Sequence, residues 1–146
     1  MHKDTGTLRN PRALSDRGTY ALVILLPRTQ TIRGGARGTF KFPRGYYVYI
    51  GSALNGLGTR IARHCRKEKK RFWHIDYMLE HARIVDVWTQ VSARRLECRW
   101  ARAALALPTA RVVAPRFGAS DCGCSAHLVF LVKTRPLSFA KTKRLC

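Results

Sequence analysis

Two apolar runs, one stopped by a proline and the other started by one, set the tightest limit on how this chain folds. "TYALVILLP" is a continuous apolar stretch rich in strand formers and halted at Pro27. "FPRGYYVYIG" begins a second strand after Pro43. Between the prolines lies "RTQTIRGGARGTFKF", either a long loop or an extension of the hairpin that turns at Gly34-Gly35. Symmetric pairing about that turn sets Tyr20 directly across from Tyr49. It brings Pro27 near Pro43, where the ladder is broken or edge-exposed. Tyr47 and Tyr49 point to one face. Two phenols there are either a packed aromatic wall or a row of acid/base hydroxyls, and packing is the plain reading of Tyr47.

The remaining elements follow from periodicity. "NGLGTRIARHCRKEKKR" reads as a helix, with Leu57, Ile61 and Cys65 on an apolar stripe. Arg60, Arg63 and Lys67 form a cationic stripe bordered by His64. "RFWHIDYMLEHA" is a second helix, with Phe72, Ile75 and Leu79 on one side, and "RIVDVWTQV" alternates as a strand. "ARRLECRWARAALAL" is a third helix closed before Pro108, its apolar face made of Leu96, Trp100, Ala103 and Leu107. "SAHLVFLVK" is a last strand. The expected fold class is α/β (α+β): a small mixed, largely antiparallel sheet built on an N-terminal hairpin and flanked by three helices. One domain is expected over residues 18–133, between a flexible basic arm at 1–17 and a basic tail at 134–146.

The charge points to a partner. Lys and Arg number 28 against 8 Asp and Glu, a net +20 that repels itself in a compact chain. A polyanion relieves that repulsion, and nucleic acid, DNA first and RNA second, is the expected one. Arg63 and Lys67 on the first helix, with Arg33 and Arg37 in the Gly/Arg-rich segment, are the expected backbone contacts. The longest apolar run, Tyr20 to Leu26, is too short to span a bilayer, so no membrane partner is expected. The N-terminal charge is followed by no apolar region, unlike a signal peptide. Five cysteines, an odd number beside a sizeable core, argue for a reducing compartment, and a cytoplasmic location is expected.

Chemistry-bearing residues fall in a fixed order. Gly18-Thr19-Tyr20 opens the first strand, Tyr49-Ile50-Gly51 closes the second, Arg60 and His64 sit one turn apart on the first helix, and Glu97 lies on the third. This set resembles the GIY-YIG nuclease superfamily. It looks closest to a branch with the run "YVYIGSALNGLGTRIARH" and a later "FGASDCGCSAHL", sometimes joined to base-excision-repair enzymes. The resemblance covers Gly18 to Val132, with two departures. Tyr20 and Tyr49 stand farther apart than the superfamily's usual hairpin sets them, and its late asparagine is missing, with Gly118 in "PRFG" nearest that place.

The resemblance implies a metal-dependent endonuclease acting on DNA in repair or processing, with a base-excision-repair enzyme as an implied partner. A magnesium or manganese ion on Glu97 would contact the scissile phosphate. Tyr20 would position or deprotonate the attacking water, its phenolate favoured by nearby cations. Tyr49 would hydrogen-bond the water or the phosphate. Arg60 would bind the phosphate and stabilise added negative charge, and His64 would be a phosphate contact or general base, or else a surface histidine. A binding module of the same fold that no longer cleaves is the competing class.

Read from residues alone, Glu97 stands at the margin of its helix stripe with Arg94 as its one local cation. It holds a hard cation, or it makes a salt bridge across the fold. Cys122, Cys124 and His127, with Cys98 able to complete four, are either a zinc site or small buried thiols beside a loop histidine. Asp121 either supports Glu97 or caps a turn.

Overall fold

Strand β1 (Gly18–Leu26) pairs antiparallel with β4 (Gly45–Ala53) on one side and with β5 (Arg83–Val91) on the other. Adding β6 (Leu128–Val132) beside β4 gives a four-stranded antiparallel sheet in the order β5-β1-β4-β6. The computed structural model describes residues 16–33, 38–70, 74–119 and 122–132. The expected tail, and the arm apart from Asp16 and Arg17, lie outside the described residues, as do Arg37, Phe72 and Asp121.

Between the prolines the chain makes neither a loose loop nor a smooth extension of the hairpin. β2 (Gln30–Arg33) and β3 (Thr39–Phe42) form a separate two-stranded ribbon. The symmetric pairing about Gly34-Gly35 is corrected here: Tyr20 faces Gly51, and Tyr49 faces Leu22. The reason is the ribbon, whose own register, Gln30 opposite Phe42, moves the centre of the turn onward from Gly34-Gly35. A slip of one residue would have sent the tyrosines to opposite faces. A slip of two preserves the face, so Tyr20 and Tyr49 remain diagonal neighbours on one side of the sheet.

Each face of the sheet has its own cover. Tyr20, Leu22, Ile24, Tyr47 and Tyr49 pack under Leu57 and Ile61 of α1 (Leu57–Cys65) and Ile75 and Met78 of α2 (His74–Leu79). Ala21, Val23, Val48 and Ile50 face the other way, against Trp100, Ala101 and Ala104 of α3 (Glu97–Leu105). A fully buried Leu or Ile contributes about 1.5–3 kcal/mol, so this two-sided burial holds β1 and β4 firmly. Tyr47 is wall: its ring packs edge-on against Phe130 and its hydroxyl donates to the Pro43 carbonyl.

The helices are shorter than periodicity implies. α1 ends at Cys65, and Arg66 already has extended backbone, so Lys67 is not on a helical stripe with Arg60 and Arg63. The run after Cys65 offers like charges and no apolar anchor, so nothing draws another turn onto the sheet. α3 starts only at Glu97, and its buried side is Trp100, Ala101 and Ala104. Ala103 is exposed, and Leu107 is 44% exposed beyond the helix end. Among the described residues no helix is long and apolar enough to cross a membrane.

Candidate active site

The site forms where β1 begins and β4 ends. Tyr20 is fully buried, and its hydroxyl lies 2.7 Å from His64 Nε2 on α1. A Cβ on Gly51, directly opposite, would stand 2.5 Å from the Tyr20 hydroxyl, so the absent side chain of that glycine is the space the phenol fills. Arg60, one turn before His64, donates to the Ser52 carbonyl at 3.0 Å and reaches the Tyr20 phenol oxygen. Tyr49 packs edge-on to His64 and to Phe117.

Burial decides the charge state of this cluster. It pushes Tyr20 up to about 12, although Arg60 pulls the other way. Tyr49 is raised well above its ordinary value by burial, with Tyr20 and Glu97 adding to the effect and Arg60 opposing it. His64 is pushed down to about 3, first by burial and then by Lys69, with Asp76 opposing. The expectation that local cations favour a Tyr20 phenolate is therefore corrected: desolvation outweighs Arg60, and the group at neutral pH is a phenol. Arg60 acts on the phenol as a cation, while the phenol and His64 Nε2 share one hydrogen bond whose donor is set by the imidazole tautomer.

Glu97 enters from the opposite face, on the first turn of α3, where the helix dipole favours a carboxylate. The Leu96 amide donates to the buried Thr19 hydroxyl, fastening this helix start to the residue beside Tyr20. Glu97 keeps about a fifth of its side chain in solvent and acts electrostatically on both tyrosines. Burial works to raise its pKa, but His127, Ser52 and Arg95 outweigh it, so Glu97 is ionised at neutral pH. Its Oε2 stands 3.3 Å from His127 Nδ1, an ion-pair distance without a formed hydrogen bond. The Ser52 hydroxyl is likewise buried without a finished hydrogen bond.

On the far side of His127 is the thiol cluster. The ligand atoms of Cys98, Cys122, Cys124 and His127 all lie within 4.8 Å of one another, and the cluster is able to hold a metal ion. His127 Nε2 is 3.4 Å from Cys122 Sγ and 4.0 Å from Cys98 Sγ. The loop is tied down locally: the Arg116 amide and guanidinium donate to the Ser125 and Cys124 carbonyls, and the His127 amide to Phe117. Burial raises the Cys122 pKa, but neighbouring thiols and His127 more than offset this and lower it. Cys124 is pushed up to about 12 by burial and by the other thiols, so the three do not ionise together unaided.

Sequence reasoning thus named Tyr20, Tyr49, Arg60, His64 and Glu97, and these meet at one end of the sheet. Arg63 is used differently: its guanidinium grips the fully buried Asp76 at 3.0 and 3.1 Å and the Lys70 carbonyl, joining α1 to α2. Arg33 and Lys67 are exposed away from any contact with this cluster that the described residues record. Ser52 and Asp76 were missed. Ser52 simply follows "YIG", and Asp76 carried the signal of a scarce acid inside an apolar helix pattern. Gly118, at φ +71°, lies against the site, since a Cβ there would be 3.0 Å from Tyr49 and 3.3 Å from His127.

A family model described as "Domain of unknown function DUF123" matches residues 19–144. The chain belongs to this family. The DUF123 match takes in every residue of the site except Gly18. Neither the curated proteins nor the solved structures contain a match to the chain.

Proposed function

We propose that this protein is a divalent-cation-dependent endonuclease that hydrolyses DNA phosphodiester bonds in the repair or processing of structured DNA. The observation that carries the reading is the meeting of two buried tyrosines, Arg60 and His64 with an ionised, partly open Glu97 at one end of the sheet. Resemblance to the GIY-YIG superfamily supplies the reaction class.

Two buried polar atoms beside Glu97, Ser52 Oγ and His127 Nδ1, lack finished hydrogen bonds, which suits a carboxylate that takes a hard cation. Magnesium or manganese held there supplies charge relief at the phosphate and its leaving oxygen. Tyr20, a phenol rather than a phenolate, holds and orients the attacking water, its own hydroxyl fixed by His64 Nε2. Arg60 stabilises charge added to the phosphoryl oxygens. Tyr49 donates to the water or the phosphate. Exposed Arg94 and Arg95 just before α3, and Arg99 and Arg102 on it, suit a strand laid across this end.

The thiol cluster is proposed as a structural zinc site. Zinc bonds of about 2.3 Å to sulfur and about 2.0–2.1 Å to nitrogen put tetrahedral ligand atoms about 3.5–3.8 Å apart. Distances of 3.4 and 4.0 Å from His127 to two thiols are close to that. Thiols that cannot all ionise unaided are relieved by such a cation. Purified protein should carry about one equivalent of zinc, and Cys124→Ser should lose it.

A catalytically silent nucleic-acid-binding module is the second reading, favoured by Gly118, which puts no side chain where the superfamily carries asparagine. The test is cleavage by wild type and Glu97→Gln on duplex, nicked, flapped and branched DNA with magnesium or manganese. We expect wild type to leave 5′-phosphate and 3′-hydroxyl ends and Glu97→Gln to bind without turnover. Equal cleavage by both would assign the activity to a contaminant. Binding without cleavage by both would replace the nuclease with the binding module.

A further inference from the structure

The geometry points to His127 as a bridge between the two metal positions: ligation at Nε2 by the thiol-bound ion orients Glu97 through Nδ1. The inference rests on the proposed reading of Glu97 as a cation ligand and deepens it. It turns the thiol cluster from a structural staple into a determinant of how well Glu97 holds its cation.

The two ring nitrogens face different partners. Nε2 lies 3.4 Å from Cys122 Sγ and 4.0 Å from Cys98 Sγ, while Nδ1 lies 3.3 Å from Glu97 Oε2. A metal on Nε2 leaves the ring hydrogen on Nδ1, aimed at the carboxylate. Carboxylates in that relation to a ligating histidine fix its ring and raise its basicity, and changing them typically costs 10–100-fold in metal affinity. Here the carboxylate is not an idle outer partner, because its charge is also felt at both tyrosines.

Three features make His127 a stiff link. Its side chain is 3% exposed. Its carbonyl accepts from the Ile50 amide at 2.9 Å, inside the run that carries Tyr49 and Gly51, and its amide donates to Phe117 at 2.7 Å. Nδ1 has no finished hydrogen bond, so it can still take up the carboxylate fully. A second connection runs through the main chain, since Cys98 directly follows Glu97 in the first turn of α3. Neighbouring positions on a helix point about 100° apart, so one residue serves the tyrosine cleft while the next serves the thiols. The missing asparagine acquires a substitute in this scheme: Gly118 leaves the room in which His127 and Tyr49 approach each other.

The experiment uses the full chain and two readouts that need no cleavage. Manganese affinity is measured by electron paramagnetic resonance for wild type, Glu97→Gln and His127→Cys, with zinc content determined on each sample. His127→Cys keeps a four-ligand set of thiols but removes Nδ1. We expect it to retain one equivalent of zinc while manganese affinity falls 10–100-fold. In the second arm, zinc affinity of Glu97→Gln is measured by competition with a chromophoric chelator, and it should fall 10–100-fold, because the carboxylate partner of the ligating imidazole is gone. Should His127→Cys fail to fold, this second arm decides. Unchanged manganese affinity in zinc-loaded His127→Cys, or unchanged zinc affinity in Glu97→Gln, overturns the bridge while leaving the nuclease reading intact. Wild-type manganese binding that Glu97→Gln does not weaken overturns the cation role of Glu97, and the bridge with it.

Discussion

His64 and His127 are buried to nearly the same degree, 3% and 2% exposed, yet their imidazoles are driven in opposite directions. Burial disfavours the charged ring in both. Around His64 the next influence is a cation, Lys69, and the imidazole ends near 3 as a neutral partner for a phenol. Around His127 Glu97 and the Cys122 thiol outweigh burial, and its pKa rises. The difference shows that depth in the fold does not assign a histidine its role. Charge does, and here it sorts the site into a half beside Lys69, where the imidazole is neutral, and a half beside Glu97 and Cys122, where the cluster is able to hold a metal ion.

The largest effect that tests this division is on turnover. Tyr20→Phe removes the partner of His64 and nothing near His127, so single-turnover cleavage should drop by about 10²–10⁴-fold. Zinc content should stay unchanged; its loss would mean the halves are not separable.

Arg63→Ala is the next largest. It removes the bidentate ion pair from the fully buried Asp76, and breaking such a pair costs up to about 3–5 kcal/mol, read as a lowered denaturation midpoint. A change confined to DNA affinity, with stability intact, would return Arg63 to the nucleic-acid surface.

Acid titration sharpens the comparison further. His64 has a folded pKa of about 3 against an ordinary 6.5, so its contribution to stability is complete above pH 6.5 and is lost as the pH falls toward 3. The slope approaches about 1.4 kcal/mol per pH unit within that window. His64→Gln should flatten that part of the profile relative to wild type, and an unchanged profile would break the assignment of a buried neutral ring.

Gly118→Ala should be the mildest, costing about 1–2 kcal/mol for a left-handed backbone plus a contact of 3.0 Å on Tyr49. Thermal denaturation checks it, and a neutral outcome would mean the loop yields without disturbing either half.

Much of the fold was legible because proline and burial leave strands few choices. "TYALVILLP" and "RIVDVWTQV" fall on β1 and β5 almost residue for residue. The register was wrong by two, yet the face assignment survived because side-chain direction repeats every second residue. Helix ends were less legible. Ala103 and Leu107 satisfy a helical period, but the buried side runs through Trp100, Ala101 and Ala104, which turns Ala103 outward, and Leu107 lies beyond the helix end. Within the site, Tyr20, Tyr49, Arg60 and Glu97 could be named from short motifs. The contact between Glu97 and His127 could not, since it depends on how the loop after α3 returns to β4, and no local pattern encodes that path. Nor does residue type reveal that burial overrides Arg60 at Tyr20.

The order β5-β1-β4-β6 has a consequence for how the molecule breathes. Tyr20 and Tyr49 ride on the two inner strands, whose amides open to deuterium only when the whole sheet comes apart. Cys122 and Cys124 ride on the long connection between α3 and β6, whose amides are held by a handful of local turns. Exchange should therefore be slow at one half of the site and fast at the other, and occupancy of the thiols is the change that brings the two clocks together.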